Sequence, residues 1–136
     1  MAVTREQVAQ IYVATFNRAP LDAGLDYWTG SGFTIEQIAT SFFDQPEAQA
    51  IYTDGGEPIP SEEFVTIIFN NLFGRAPAEA GLEYWSTALD EGTVSQAEMI
   101  LAVKNGATGT DAAILAHKTE VGLYYADQGG KETTYY

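Results

Sequence analysis

The sequence contains no cysteine and only one histidine, His117, among its 136 residues. The absence of cysteine excludes disulfide bonds, thiol nucleophiles and zinc–thiolate centres, and the single histidine excludes a metal site built on a histidine pair of this chain. No apolar run approaches the ~20 residues that a membrane-spanning helix requires. The first residues, Met1 to Thr4, lack a basic segment followed by an apolar one, so we expect no cleavable secretion signal.

Basic residues are also scarce, since six Lys and Arg stand against 19 Asp and Glu and give a formal net charge of −13. This charge repels phosphate backbones and anionic lipid, so we expect neither nucleic acid nor a membrane as partner. The hydrophobic fraction of 46% is typical of a folded globular protein. The length suits one domain with a hydrophobic core, and we therefore expect a single domain over residues 1–136.

An internal repeat organises the chain. Aligned with itself at an offset of 57 positions, the sequence matches Val8–Trp28 to Val65–Trp85 with 11 identities in 21 positions. Both tryptophans lie inside this match, which argues against coincidence. The match resumes four residues later in the second copy, so we predict a longer loop there, Thr87–Val94. The chain is predicted to be a tandem duplication.

Each copy predicts helices. Val8, Ile11 and Tyr12 lie at i, i+3 and i+4, the spacing of a helix with one buried face. Second helices are predicted at Pro20–Thr29 and Pro77–Leu89, because proline suits the first position of a helix. Predicted helix starts are the capping boxes Thr4/Gln7, Thr34/Gln37 and Ser95/Glu98, the N-cap Ser61, and the pair Asp44/Glu47 ahead of a short fourth helix ending near Tyr52.

The counterpart of that fourth helix is predicted from Thr110 to about Asp127, and no stretch shows the alternation of a strand. The fold class is therefore all-α, with two tandem copies of a three-to-four-helix repeat packed around one shared core. We place repeat one at about 4–52, a linker rich in turn-forming residues at 53–60, repeat two at about 61–127 and a tail at 128–136.

The repeated motif resembles a known family. Phe16-Asn17-Arg18-Ala19-Pro20 followed by Gly24-Leu25-Asp26-Tyr27-Trp28, with its echo from Phe73 to Trp85, is similar to the hallmark of bacterial domain-of-unknown-function family 4214. That resemblance implies a helical domain of large secreted or surface proteins, including S-layer-like and RTX-type exoproteins, with no assigned catalytic residues. It also implies a looser likeness to the helical domain of phycobilisome linkers, which are assembly proteins. The glycine- and aspartate-rich calcium nonapeptides of RTX proteins are absent from this sequence.

The arginines, tyrosines and tryptophans of the motif are the candidate binding residues. An arginine fork beside an aromatic ring would suit a carboxylate or a sugar. The alternative, which we prefer, is structural: each arginine ends a helix and pairs with Asp22, Asp26, Glu79 or Glu83. The tryptophans are expected in the core and the tyrosines at the surface or between the repeats, because neighbouring helix positions point about 100° apart. The six candidates are Arg18, Tyr27, Trp28, Arg75, Tyr84 and Trp85.

The glycines of the two Gly-Leu segments, Gly24 and Gly81, are expected to pack closely against the first helix or the tryptophan, since glycine inside a helix costs about 1 kcal/mol. Weak calcium candidates are Asp54 and Glu57 in the linker and Asp90 and Glu91 beside a glycine, although neither loop has the spacing of a known calcium motif. No other cofactor is expected.

No nucleophile motif accompanies His117, which we interpret as a packing residue, and we predict no catalytic residues. The expected function is a non-catalytic interaction or assembly module of a secreted or cell-surface bacterial protein, with a protein partner or self-association. The alternatives are a carbohydrate-binding domain that uses exposed aromatics beside Arg18 and Arg75, and a hydrolase that works through two carboxylates. We expect residues 131–136, which end in two tyrosines, to take part in weak self-association.

Overall fold

The chain folds into helices with one short hairpin between its two halves. The structure, a computed structural model, describes residues 3–18, 20 and 22–127. The first half contains α1 (Arg5–Phe16), α2 (Asp22–Thr29), α3 (Ile35–Phe42) and α4 (Pro46–Tyr52). The hairpin strands β1 (Thr53–Asp54) and β2 (Glu57–Pro58) follow. The second half contains α5 (Ser61–Phe73), α6 (Glu79–Asp90), α7 (Gln96–Asn105) and α8 (Gly109–Asp127). The predicted all-α class is confirmed.

Three predicted helix starts are confirmed, because the capping boxes at Thr4, Thr34 and Ser95 all form, each with a side-chain oxygen accepting from the backbone three residues on. The N-cap prediction for Ser61 is wrong. Pro60 caps α5 without a side-chain hydrogen bond, and the Ser61 hydroxyl donates instead to Asp90 at 2.5 Å. Pairing with a distant carboxylate has therefore displaced the local cap.

The start predicted for α4 is also corrected, since its N-cap is Gln45 rather than Asp44, and Glu47 is held by a distant arginine. The prolines before α2 and α6 lie two residues ahead of these helices rather than at their first position. The first helix of each half ends on a left-handed residue at equivalent positions, Asn17 with φ 52° and Gly74 with φ 68°. Asparagine and glycine are the residues that adopt this conformation at least cost.

The linker contains a hairpin that the sequence analysis did not predict. β1 and β2 pair antiparallel, with Asp54 opposite Glu57. Gly55 and Gly56 between them have φ values of 62° and 89°, the left-handed backbone of a two-residue hairpin turn. Strands of two residues are too short to show alternation, which is why the sequence pattern gave no sign of them.

The four extra residues of the second half lengthen a helix rather than a loop. α6 has 12 residues against 8 in α2 and continues to Asp90, so the first half of the predicted loop Thr87–Val94 is helical. The chain leaves this extra turn at Gly92, whose φ is 75°. The prolonged helix gives the second half a face that the first half does not have.

The core is one cluster that draws on both halves, in agreement with the expected shared core. α1 and α5 pack against each other, and α8 packs across both of them. The cluster includes Val8 and Ile11 from the first half and Val65, Ile68 and Leu72 from the second, all fully buried. The order of helices in the halves is the same, while the tandem duplication as such stays a prediction. Over the described residues, no helix combines the length and the apolar composition that crossing a lipid bilayer requires.

Side chains from other elements satisfy the last carbonyl groups of the two central helices. The Asn71 amide donates to the carbonyl of Ala14 at 2.9 Å, and the Lys118 ammonium donates to the carbonyl of Asn71 at 2.7 Å. The buried Tyr52 hydroxyl donates to the carbonyl of Thr15 at 2.5 Å. The first bond fixes α5 against α1, and the other two tie α8 to α5 and α4 to α1, because helix ends leave carbonyls that need partners.

The two motif glycines give a matched pair of stability predictions. A methyl group added at Gly24 would lie 2.9 Å from the Tyr12 hydroxyl, whereas one added at Gly81 would meet nothing within 4 Å. The expected close packing is therefore right for Gly24 and wrong for Gly81, where the residue equivalent to Tyr12 is Phe69 and carries no hydroxyl. Gly81→Ala is expected to raise the free energy of unfolding by about 0.5–1 kcal/mol, because alanine favours a helix.

Gly24→Ala is expected to give no such increase in the free energy of unfolding, because its methyl group would clash with the Tyr12 hydroxyl. In a Tyr12→Phe background, which removes the hydroxyl, the increase is expected to return. Urea unfolding of the single variants and of the double variant, each against its own parent, measures the difference. Equal stabilisation by Gly24→Ala and Gly81→Ala would contradict the close contact.

Candidate functional site

Arg18 fastens the end of α1 to the start of α4. Its Nε and Nη2 atoms donate to the two carboxylate oxygens of Glu47 at 3.0 and 2.8 Å. The guanidinium carbon lies 5.1 Å from the ring centroids of both Tyr12 and Phe16, which are one turn apart on α1. Cation–π contacts and a two-pronged ion pair therefore hold the same group. We call this arrangement the arginine clasp.

The second half repeats the clasp with different residues. Arg75 Nε and Nη2 donate to Asp111 at 2.9 and 2.6 Å, and its guanidinium carbon lies 5.5 and 5.8 Å from the rings of Phe69 and Phe73. Asp111 stands in the first turn of α8, as Glu47 stands in the first turn of α4. A carboxylate there also interacts favourably with the helix dipole. Each clasp thus ties the first helix of a half to its fourth.

The arginine partners named by the sequence analysis are wrong. Neither arginine pairs with Asp22, Asp26, Glu79 or Glu83. A residue that the analysis missed, Arg5, contacts two of them instead, with distances of 2.7 Å to Asp22 and 2.8 Å to Asp26. The local pattern gave no signal for this pairing, because Arg5 lies 17 and 21 residues from the two carboxylates and only the packing of α2 on α1 brings them together. In the second half, Glu62 occupies the equivalent position.

The two clasps differ in exposure. The Arg18 side chain is 12% exposed, whereas that of Arg75 is 46% exposed. The hydrogen bonds from Arg75 lower the pKa of the Asp111 carboxyl below its ordinary value of 3.8, and the same bonds raise the pKa of Arg75. Because the folded-state pKa of Asp111 is lowered, its contribution to stability is present above the unfolded pKa and is lost as the pH falls through the folded pKa.

The strength of the Arg75–Asp111 pair is therefore predicted to depend on pH. The coupling free energy between Arg75 and Asp111 is expected to be about 0.5–1 kcal/mol at pH 7, since the pair is partly exposed, and to vanish as the pH falls from about 4 through the lowered pKa. A double-mutant cycle with Arg75→Met and Asp111→Asn, repeated at neutral and acidic pH, measures it. A coupling energy that stays constant with pH would contradict the assigned ionisation.

Each half also has a cavity where its tryptophan meets the clasp. The first has a volume of about 300 Å³ and lies between α1, α2, α3 and the start of α4. Its lining includes Tyr12, Arg18, Trp28, Phe42 and Glu47. The second, of about 240 Å³, is lined by the corresponding Phe69, Trp85, Val103 and Asp111 together with the turn before α8. Trp28 and Trp85 are half-buried against the core, so the expectation that they are core residues holds in part.

The tyrosines of the motif do not line these cavities. Tyr27 and Tyr84 are 63% and 65% exposed, which confirms their predicted surface position. Each ring stands edge-on to the neighbouring tryptophan, at centroid distances of 4.8 and 4.9 Å, so both are held in similar orientations. The structure therefore divides the six candidate residues: Arg18 and Trp28 line one cavity, Trp85 lines the other beside Asp111, the partner of Arg75, and the tyrosines lie apart at the surface.

The carboxylates proposed for calcium are exposed. Asp54 and Glu57 face each other across the hairpin, and Asp90 accepts the hydrogen bond from Ser61. Among the residues that the structure describes, no group of three or more His, Asp or Glu side chains is placed to hold a metal ion. His117 is exposed on α8, so its interpretation as a packing residue is wrong. The predicted role of residues 131–136 in self-association lies outside the described residues.

Comparison with known proteins gives one match. No curated protein and no solved structure matches the chain. Residues 39–107 match the family model described as "Domain of unknown function (DUF4214)". This range covers about half of the chain, from α3 to the end of α7, and includes the second copy of the Arg-x-Pro and Gly-Leu-x-Tyr-Trp motif. The chain therefore belongs to the DUF4214 family of domains of unknown function.

Proposed function

We propose that this chain is a non-catalytic interaction module that assembles with copies of itself through an aromatic surface on its first half. The surface consists of Tyr27 and Phe33, 63% and 45% exposed, on either side of Trp28. The Trp28 ring lies 4.8 Å from Tyr27 and 6.3 Å from Phe33, so the three form a continuous patch. This exposed aromatic patch is the observation that carries the proposal, because exposed aromatic groups of this kind are enriched at protein interfaces.

The charges around this patch suit contact between like-charged copies. A chain of net charge −13 opposes self-association through long-range repulsion. Next to Tyr27, however, Asp22 and Asp26 are both paired with Arg5, which neutralises part of the local charge. The remaining obstacle to association is the repulsion between the net charges of two whole molecules, which salt screens. The proposal places the module in a secreted or cell-surface protein, on the strength of the family resemblance.

Sedimentation velocity over a salt series from about 0.05 to about 0.5 M tests this proposal. The sedimentation coefficient at high protein concentration is expected to rise with salt, and Tyr27→Ser with Phe33→Ser is expected to abolish the rise. Tyr84→Ser is the matched control, since it removes an equally exposed tyrosine from the other half. A strict monomer in all conditions, or equal loss with the control, would contradict the proposal. Repeating the series with added calcium shows whether the ion promotes assembly. A variant that lacks residues 131–136 shows whether the tail contributes to it.

The paired cavities favour carbohydrate binding as a second candidate function. Each cavity offers aromatic rings and a carboxylate, and the first adds the fork of Arg18; these are groups that contact sugar rings and hydroxyls. The volume of the first, about 300 Å³, is at the small end for ligand sites and suits a single sugar unit. Since the arginine charge is already matched by Glu47, an uncharged sugar fits this site better than an acidic one.

The two tryptophans make this second candidate testable one cavity at a time. Trp28→Phe leaves Trp85 as the only tryptophan, and Trp85→Phe leaves Trp28. A glycan array selects the sugar, and its titration is expected to change the emission of both single-tryptophan proteins. A change in neither, with no array signal, removes the carbohydrate function and leaves the assembly proposal unaffected.

No observation on the described residues favours the hydrolase alternative in this way. The carboxylates that line the two cavities, Glu47 and Asp111, are both held by arginine. Glu83 and Glu91, which line a third groove, are exposed to water. A general acid usually requires a carboxyl whose surroundings keep it protonated near neutral pH. The proposed module is accordingly non-catalytic.

A further inference from the structure

A groove runs along the outer face of α6. It has a volume of about 460 Å³ and is lined by one stripe of the helix and by the loop that follows. Tyr84, 65% exposed, stands at its wall with its ring fixed against Trp85. The groove is lined by Ala80, Glu83, Tyr84, Thr87, Ala88, Glu91 and Thr93.

The four extra residues of the second half build this groove. The stripe uses positions 80, 83, 84, 87 and 88 of α6 together with its C-cap Glu91, so it needs the last turn of the helix. α2 ends at Thr29, so the first half has no helical residues at the positions equivalent to Thr87 and Ala88, and the stripe stops there. The backbone N–H of Thr93 donates to the carbonyl of Ala88 at 2.9 Å, which holds the loop against the end of the groove. The extension is the difference between two otherwise similar helices.

The negative charge of the groove is not compensated within the described part of the chain. On the first half, Arg5 pairs with Asp22 and Asp26 beside Tyr27. At the equivalent position of the second half stands Glu62, which adds charge of the same sign. Glu83 and Glu91 form no ion pair with any residue that the structure describes. The carboxylates beside Tyr27 are thus paired with an arginine, whereas those beside Tyr84 have no ion pair among the described residues.

We propose that the α6 groove binds a basic segment of another protein, with a Lys or Arg side chain lying along the Tyr84 ring and its charge between Glu83 and Glu91. Small residues, Ala80 and Ala88, leave room for the aliphatic stem. The tyrosine ring adds a cation–π contact, and the carboxylates match the charge. This inference rests on the proposed interaction role and names a partner for the half that the self-association surface does not use.

A second copy of this chain is a poor occupant of the groove. Its described part offers no cation that lacks a partner. All three arginines are ion-paired, Lys118 donates to Asn71 and Lys104 donates to Asn105. Burial also lowers the pKa of both lysines. Lys131 lies outside the described residues, so among the described residues a second copy supplies no cation for the groove, and the proposal takes a different protein as the partner.

A fluorescein-labelled, amidated peptide of alternating arginine and alanine is the probe, and its Kd is measured by anisotropy at about 0.05 M salt. Glu83→Gln with Glu91→Gln is expected to weaken binding about tenfold. Glu36→Gln with Glu120→Gln removes the same net charge at exposed positions outside the groove and is expected to change the Kd by less than about twofold. Tyr84→Ala is expected to weaken binding, and Tyr27→Ala to leave it unchanged.

Equal weakening by the two glutamine pairs would show bulk attraction only and would overturn the proposal, as would equal effects of the two tyrosine variants. A peptide with citrulline in place of arginine, which keeps the shape and loses the charge, is expected not to bind. Thermal melts confirm that each variant is folded. Sedimentation of the same variants distinguishes the failure of one proposal from the failure of the other. Salt-dependent assembly without peptide binding overturns the groove proposal alone. A wild type that does not assemble overturns the assembly proposal.

Discussion

Replacing Arg18 with alanine is expected to lower the free energy of unfolding by about 2–3 kcal/mol, against about 1 kcal/mol or less for Arg75→Ala. The two arginines make the same set of contacts, but the Arg18 side chain is 12% exposed and that of Arg75 is 46% exposed. Water weakens the ion pair of Arg75 and competes for its aromatic contacts. Truncating Arg18 also opens the cavity beside Trp28 and removes a buried aliphatic stem.

Denaturant unfolding of the two alanine variants measures this difference. Arg18→Lys provides an intermediate case, because it keeps the charge but loses the planar fork that contacts both oxygens of Glu47. The decrease in the free energy of unfolding is expected to be smaller for Arg18→Lys than for Arg18→Ala, but greater than zero. Equal losses for Arg18→Ala and Arg75→Ala would show that burial does not govern the strength of the clasp.

Alkaline pH is expected to destabilise the protein through Tyr52, by about 1.4 kcal/mol per pH unit above pH 10. The Tyr52 side chain is buried, and its burial raises the pKa of the hydroxyl well above the ordinary value of 10.0. Because the folded-state pKa is raised, the stabilising contribution is complete below pH 10 and is lost as the pH rises, since only the unfolded chain then releases the proton.

Tyr52→Phe isolates this effect. At neutral pH the variant is expected to be about 1 kcal/mol less stable than the wild type, because the hydrogen bond to the Thr15 carbonyl is lost. Above pH 10 the wild type loses stability faster, and the two stability curves are expected to cross near about pH 11. Parallel curves from neutral to alkaline pH would contradict the assignment to Tyr52.

Local patterns in the sequence predicted the helices and much of their detail. The capping boxes at Thr4, Thr34 and Ser95 depend on residues three positions apart, so the sequence holds all the information for them. The exposure of Tyr27 and Tyr84 follows from the turn angle of a helix whose tryptophan faces inward. These features need no knowledge of how the helices pack.

The wrong arginine partners are explained by tertiary contacts. Glu47 and Asp111 lie 29 and 36 residues from their arginines, and only the packing of the fourth helix on the first brings them together. Nearer carboxylates looked equally suitable in sequence. The groove on α6 was missed for another reason: the sequence pattern predicts a loop at residues 87–94, whereas α6 continues to Asp90 and the chain leaves it near Gly92.

We propose that the residues of the repeated motif divide their roles: arginine holds the fold, and tyrosine at the surface contacts partners. Sedimentation velocity at high salt, at one protein concentration where the wild type associates, tests it with two variants of similar size change. Tyr27→Ser is expected to yield monomer, because it removes the exposed ring of the patch. Arg75→Ala, which alters an internal contact of the same motif, is expected to associate like the wild type. Association retained by Tyr27→Ser and lost in folded Arg75→Ala would contradict the account.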